Sequence, residues 1–355
     1  MPNILKVNQK TINWLLEEEN PPVKFLTLTK LLDESPEKDQ LNSLKEVINE
    51  YRPIKEILEQ QKEKSYWFDK RKDKNYTKYL GTYWQVHFLS EMYANRNEGI
   101  ENAIEHLFST GQVANGGFSY DGGSGGAIVC LTSNIFRALV HFGYLKDERT
   151  QNALSFILER IVDTKGFVNC GDTFSLIHGC YMTLPKTLFA FAAIPEKERS
   201  TQVKEGIKIC SEKILANHIY KYVPEKNKEW LDFIRTQNFT AQQKRDARTD
   251  YLEKKPITNK IAKSGWMKFG FPLSYNSDAL DTMYAFALTN IDFSTNMDDA
   301  LDVILSNNKS GRWINEKKFQ NDMYTEIEPY KSESKWLTFR ALYVLKKYQK
   351  LQIVE

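Results

Sequence analysis

An all-α fold of helical hairpins, repeating at about fifty residues, is predicted for this chain by three observations. First, a glycine just before an aromatic residue returns at near-constant spacing. It occurs in Asn115-Gly116-Gly117-Phe118, Thr164-Lys165-Gly166-Phe167, Lys263-Ser264-Gly265-Trp266 and Ser310-Gly311-Arg312-Trp313, with a glycine-less echo at Ser65-Tyr66-Trp67. From Trp67 the steps to Phe118, Phe167, Trp266 and Trp313 are 51, 49, 99 and 47 residues, so the long step spans two periods with one weak member. Second, Asn102-Ala103-Ile104-Glu105-His106-Leu107, Asn152-Ala153-Leu154-Ser155-Phe156-Ile157 and Asp299-Ala300-Leu301-Asp302-Val303-Ile304 each precede such a turn in phase. Their apolar residues fall at i, i+1 and i+4 or i+5, which marks one helix face. Third, the period is too long for one helix and suits two helices of three to five turns with connections.

Each element follows from that frame. The first sixty residues carry helical patterns over roughly 9–19, 23–33, 39–51 and 53–60, broken at Pro21-Pro22 and Ser35-Pro36. They lack the aromatic-glycine turn, so residues 1–60 are expected to cap an array formed by residues 61–355. One helix of each pair is expected near 80–95, 127–143, 180–193, 277–290 and 333–349, with partners near 98–109, 147–162, 196–216 and 295–307. Glycine in each turn would supply the left-handed backbone that reverses the chain, and the following aromatic would plug the gap between pairs. The polar, irregular stretch 217–262 is expected to be an insertion over one mouth.

Composition bounds the function. Apolar residues make up 41% and charged residues 27%, ordinary for a globular chain that can bury a large core, while 13% aromatics supply many flat surfaces. Lys and Arg number 49 against 46 Asp and Glu, and a net charge of +3 does not favour a nucleic-acid partner. Four unevenly spaced cysteines and no signal-like start point to free thiols and a cytoplasmic setting. Apolar runs such as 188–194 fall far short of the roughly 20 residues a membrane helix needs. Nothing here sets the oligomeric state.

The turns, together with Met297-Asp298-Asp299-Ala300-Leu301-Asp302 ending at Gly311-Arg312-Trp313, resemble the prenyltransferase and squalene-cyclase repeat. The opening Trp14-Leu15-Leu16-Glu17-Glu18-Glu19-Asn20-Pro21-Pro22-Val23 and the stretch Lys78-Tyr79-Leu80-Gly81-Thr82-Tyr83-Trp84 are similar to uncharacterised bacterial and archaeal members of that superfamily. The resemblance covers nearly the whole chain. It implies an α/α toroid, hairpins closed into a barrel with inner helices around a central cavity, and a small hydrophobic or isoprenoid-type ligand. One such barrel hosts several chemistries, so function has to be read from residues.

Polyene cyclases of the superfamily protonate an alkene with Asp-x-Asp-Asp, and the nearest string here, Asn296-Met297-Asp298-Asp299, lacks the first aspartate. Asp298, Asp299 and Asp302 spell Asp-Asp-x-x-Asp, but the repeat phase puts them in the first turn of an outer helix, where they complement its dipole. Protein prenyltransferases of the superfamily hold zinc with Asp, Cys and His. Cys170, His178 and Cys180, with Asp172 or Cys130 as a further ligand, match that set in type but not in order, and buried thiols with a hydrogen-bonded histidine are the competing and simpler reading. Cationic stretches at 62–78 and 240–264, each with seven Lys or Arg against three acidic residues, would serve as solvated loops or meet an anion. Gly122-Gly123-Ser124-Gly125-Gly126 is a weak anion cradle without a following Gly-Lys.

The remaining candidates lie where inner helices meet the turns. Asp278 and Asp281, three apart, and His87 are candidate acid-base groups; Trp84, Arg137, Tyr275 and Trp336 are candidate substrate-binding residues around one mouth. Capping by Asp278 and packing of the two tryptophans are the competing structural roles. Two further readings stand beside an isoprenoid-type enzyme: a non-catalytic binding or scaffold protein for a glycan, peptide or protein, and a carbohydrate-active α/α toroid resting on Asp278 and Asp281.

Overall fold

A computed structural model of the chain describes residues 4–32, 36–62, 66–67, 75–168, 179–222, 228–254 and 260–354. The described residues are mostly helical. In chain order the helices are α1 (Gln9–Leu15), α2 (Pro21–Leu26), α3 (Lys38–Glu46), α4 (Arg52–Glu59), α5 (Thr82–Glu91), α6 (Glu98–Thr110), α7 (Val129–His141), α8 (Glu148–Asp163), α9 (Thr183–Ala193), α10 (Thr201–Leu215), α11 (Lys228–Thr236), α12 (Ala241–Lys254), α13 (Ala279–Leu288), α14 (Asp298–Ser306) and α15 (Lys335–Lys347). The expected helix over 23–33 differs: α2 starts at Pro21, and Thr27–Leu31 widens into a π turn.

Burial divides the helices into two kinds. All ten residues of α5 are buried, and α7, α9, α13 and α15 are nearly as enclosed, which marks them as core helices. Helices α6, α8, α10 and α14 bury one face only and cover the core helices that precede them. Along the core, α5 packs on α7, α7 on α9, α9 on α13 and α13 on α15; α15 then packs on α2 and its π turn. One continuous apolar cluster runs from Val7 to Tyr348.

The periodic aromatics anchor this layering. Trp67, Phe118, Trp266 and Trp313 are all buried. The backbone amides of Trp67, Phe118 and Trp313 donate to Thr82, Thr132 and Thr338, each in or beside the first turns of the next core helix, at 3.1, 3.0 and 3.1 Å. The indoles of Trp67 and Trp313 donate to the Ile57 and Ile304 carbonyls of α4 and α14, both at 2.8 Å. Helix α4 therefore stands to Trp67 as α14 stands to Trp313. Trp313→Ala, which loses both this bond and a filled volume, is expected to cost about 3–5 kcal/mol in denaturant unfolding; a loss below about 1 kcal/mol would show that the ring is not an anchor.

Glycine acts unevenly in the turns. Gly116, Gly166 and Gly311 are left-handed, at φ 85°, 75° and 90°. Gly265 is not among the left-handed residues, and a Cβ there would meet open space, so this turn does not depend on its glycine. The far ends of the core helices repeat a different closure. Tyr93, Gly143, Asn290 and Gln349 are left-handed just beyond α5, α7, α13 and α15. The next amide in each case, from Ala94, Tyr144, Ile291 or Lys350, reaches back to the carbonyl of Leu89, Leu139, Phe286 or Leu345.

Among the described residues three short strand pairs add to the helices, none evident from periodicity. Strand β1 (Leu5–Asn8) runs parallel to β6 (Leu351–Val354) and joins the two ends of the described chain. Strands β2 (Lys221–Tyr222) and β3 (Ile261–Ala262) pair antiparallel at the base of the α11–α12 segment, whose Trp230 and Ile234 form a separate small apolar cluster. Strand β4 (Trp313–Ile314) pairs with β5 (Glu333–Ser334). The loop between them, 315–332, lies over the N-terminal end of the core helices.

Candidate functional site

A two-lobed cleft opens at that end. Its walls are the segment before α13 and the loop between β4 and β5. One lobe, about 370 Å³, is lined by Lys78, Tyr79, Tyr275, Asn276 and Gln320; the other, about 300 Å³, by Phe271, Met323, Tyr324, Glu328 and Tyr330. Lys317, Lys318 and Phe319 line both.

The inner wall is aromatic. Trp84 of α5 lies 5.3 Å from Tyr79 and 6.0 Å from Tyr275 between ring centres, and Phe319 meets Tyr79 edge-on at 4.6 Å. The Lys78 ammonium stands 5.2 and 5.3 Å from the Tyr79 and Tyr275 ring centres, where the ring faces attract a cation. Trp84 and Tyr275, nominated from sequence, are thus brought together. Trp336 lies behind the other lobe, stacked on Phe271 at 4.4 Å.

Asp278 is the N-cap of α13, accepting from the Asp281 amide at 2.8 Å and the Gly270 amide at 3.2 Å. Lys317 reaches it from the cleft at 3.4 Å. Burial raises the Asp278 carboxyl above the usual range; Lys317 opposes this and the neighbouring Asp281 carboxylate adds to it. Asp281 goes the other way. Burial acts to raise it, but the Lys186 ammonium and Arg340 guanidinium outweigh that and hold it below the usual range.

Beneath the cleft, five charged side chains meet between the core helices. Lys186 donates to Asp281 at 2.8 Å, Arg340 donates to Asp281 at 3.1 Å and to Glu91 at 2.6 Å, and Arg137 donates to the other Glu91 oxygen. Each comes from a different core helix. His87, one turn before Glu91, is buried and its Nδ1 has no hydrogen-bond partner among the described residues. Burial, then the positive charges of Arg137, Lys186 and Arg340, drive its imidazole well below the ordinary value, so it is neutral.

Glu328 was not foreseen from the sequence. It is partly buried in the cleft wall, and burial pushes its carboxyl up to about 7 against the opposing Ser334 hydrogen bond and Lys335 charge. A carboxyl that titrates near neutrality in a cleft is suited to proton transfer. Lys317, Lys318 and Phe319 were missed as well, because the loop that carries them has no periodicity. The ion network had a readable sign: Glu91, Arg137, Lys186 and Arg340 are charges set within otherwise apolar helices, and such residues enter a core only when paired.

The other nominated positions stand as follows. Cys170 and His178 lie outside the described residues, as does Asp172. Cys180 donates its amide to the Val168 carbonyl, and Cys130 and Cys210 are buried. Among the described residues no group of three or more His, Cys, Asp or Glu side chains is arranged to hold a metal ion. Asp298 and Asp299 occupy the first turn of α14, and Asp299 pairs with Lys221. The Gly122–Gly126 loop closes on its own chain, Gly123 donating to Asp121 at 2.9 Å. Most of the cationic stretch 62–78 lies outside the described residues.

No family model matches the chain, and none of the curated proteins does. Two solved structures of MstE, a type II terpene cyclase from Scytonema, are similar to it. One variant in complex with its product, merosterolic acid A, is 13% identical over 87% of this chain and 98% of that chain, with a TM-score of 0.35. A second variant, without ligand, is 12% identical over 88% and 98%, also at 0.35. Likeness at that level says nothing of substrate or residue roles. No helix among the described residues is long and apolar enough to cross a membrane.

Proposed function

We propose that this chain is an α/α toroid whose N-terminal mouth binds an amphipathic anion, an apolar body of isoprenoid type ending in a phosphate or carboxylate. The observation that carries this reading is the cleft itself: Tyr79, Tyr275 and Phe319 form an apolar wall beside Lys78, Lys317 and Lys318. Aromatic rings supply area for the apolar body, and ammonium groups supply charge-assisted bonds for its head. The ligand lies above the ion network rather than within it, with Glu328 as the group placed to move a proton. In this reading residues 61–355 form the ring, the N-terminal helices complete it beside α15, and 217–262 is an insertion.

Titration with farnesyl diphosphate, farnesol and inorganic pyrophosphate, followed by tryptophan fluorescence, tests this. The diphosphate is expected to bind at least tenfold more tightly than either part alone, and Lys318→Ala to weaken it about 10–100-fold, the value of one charge-assisted bond. Saturable binding of none of the three, or an unchanged affinity in Lys318→Ala, would sink the reading. The amides of Asn276, Gln320 and Asn321 along the same cleft favour a second reading, a neutral glycan. It requires an oligosaccharide to bind with no dependence on Lys318.

A further inference from the structure

A second cavity, about 220 Å³, opens at the opposite end of the core helices. Its lining includes Lys30 from the π turn after α2, Ser90 and Tyr93 at the end of α5, Arg137 and His141 of α7, and Ala193 of α9. It shares no residue with the cleft.

Arg137 also belongs to the ion network behind the cavity, and among the described residues that network's charges do not balance. Between the core helices Arg137, Lys186 and Arg340 meet Glu91 and Asp281, three positive groups against two negative. The Lys317 and Asp278 pair at the cleft end of the network cancels. Lys30, exposed at the cavity rim with its ammonium 3.2 Å from the Tyr93 hydroxyl, stands outside that network as a second cation. An unmatched charge in a buried network is costly, and a bound counter-ion relieves it. Consistent with that load, burial and the adjacent Arg340 press Arg137 down to about 10.

Helix C-termini ordinarily repel anions. Here at least one closing carbonyl at the end of each core helix is already engaged. The reach-back bonds described above close α5, α7, α13 and α15, and Arg199 donates to the Ala192 and Ile194 carbonyls at the end of α9. His141 is turned the same way: its Nε2 lies 2.9 Å from the Ala94 carbonyl, which can only accept, so that nitrogen carries the proton. Lys30 and the guanidinium of Arg137, which Glu91 pairs with, are the cationic groups that line the cavity.

We propose that this cavity is a binding site for a small anion, a phosphate or carboxylate group held between Lys30 and Arg137. Ala193, partly exposed at the end of α9, lines the cavity. Inorganic phosphate and succinate, titrated at constant ionic strength by isothermal calorimetry, test it with two variants that spare the ion network. At least one of the two anions is expected to bind saturably to the wild type at one site. Lys30→Gln, which removes a charge, and Ala193→Leu, which fills the cavity, are each expected to weaken that binding at least tenfold, with circular dichroism unchanged. Saturable binding of neither anion to the wild type would overturn the proposal. So would binding that both variants retain and Lys318→Ala loses, which would put the anion in the cleft.

Discussion

Glu91→Ala is expected to lower folding stability by about 3–5 kcal/mol, because it leaves the Arg137 and Arg340 guanidinium groups buried without their shared carboxylate. The whole network is worth far less than that figure. Desolvating five ions offsets most of their mutual attraction, so a well-packed apolar replacement of the set is expected to be nearly neutral. The large penalty belongs to breaking the network. Asp281→Ala, which strands Lys186 and the other side of Arg340, is expected to cost a similar amount, and the double variant less than the sum, since the two carboxylates share Arg340. Urea unfolding followed by circular dichroism measures all three. A single-variant loss under about 1 kcal/mol would show that the interior is wet enough to solvate the orphaned cations.

The second large effect is on pH. Burial drives the His141 imidazole down to about 4, the Ala94 hydrogen bond opposing and the Arg137 charge assisting, and it drives His87 well below 6.5. In the unfolded chain both take up a proton near pH 6.5. The stability they contribute is complete above that value and is lost as pH falls, about 3 kcal/mol for His141 by pH 4. Glu328 acts with the opposite sign. Its carboxyl is raised from 4.5 to about 7, so the folded state binds the proton first; the destabilisation is complete above pH 7 and gone below 4.5. Wild-type stability is therefore flattened by two opposed terms, which single variants separate. Glu328→Gln is expected to exceed wild type by about 1–3 kcal/mol at pH 8 and then to lose stability more steeply on acidification. His141→Gln is expected to lose less than wild type between pH 6.5 and 4. Equal pH slopes in all three proteins, measured by denaturant unfolding at pH 8, 6 and 4.5, would refute the assignment.

What the sequence by itself determined is the helical order. The turn spacing and one-faced apolar fragments place the core helices and their covers within a few residues of where they lie, because a helix face repeats locally and an aromatic at each turn, buried in all but Phe167, is a local requirement. The same local pattern understated the first sixty residues. No glycine marks the turn at Trp67, yet its indole bond to Ile57 is the counterpart of the Trp313 bond to Ile304.

Tertiary structure alone decided the chemistry. Arg340 and Glu91 are 249 residues apart and Lys186 and Asp281 are 95 apart, so their pairing depends on which core helices become neighbours. The aromatic wall joins Tyr79, Tyr275 and Phe319 from three segments, and Glu328 owes its neutral titration to burial that its own loop cannot supply. Periodicity reports what a residue does for its own helix. Charge balance and the shape of a cleft are properties of several elements at once, and they exist only after those elements have packed.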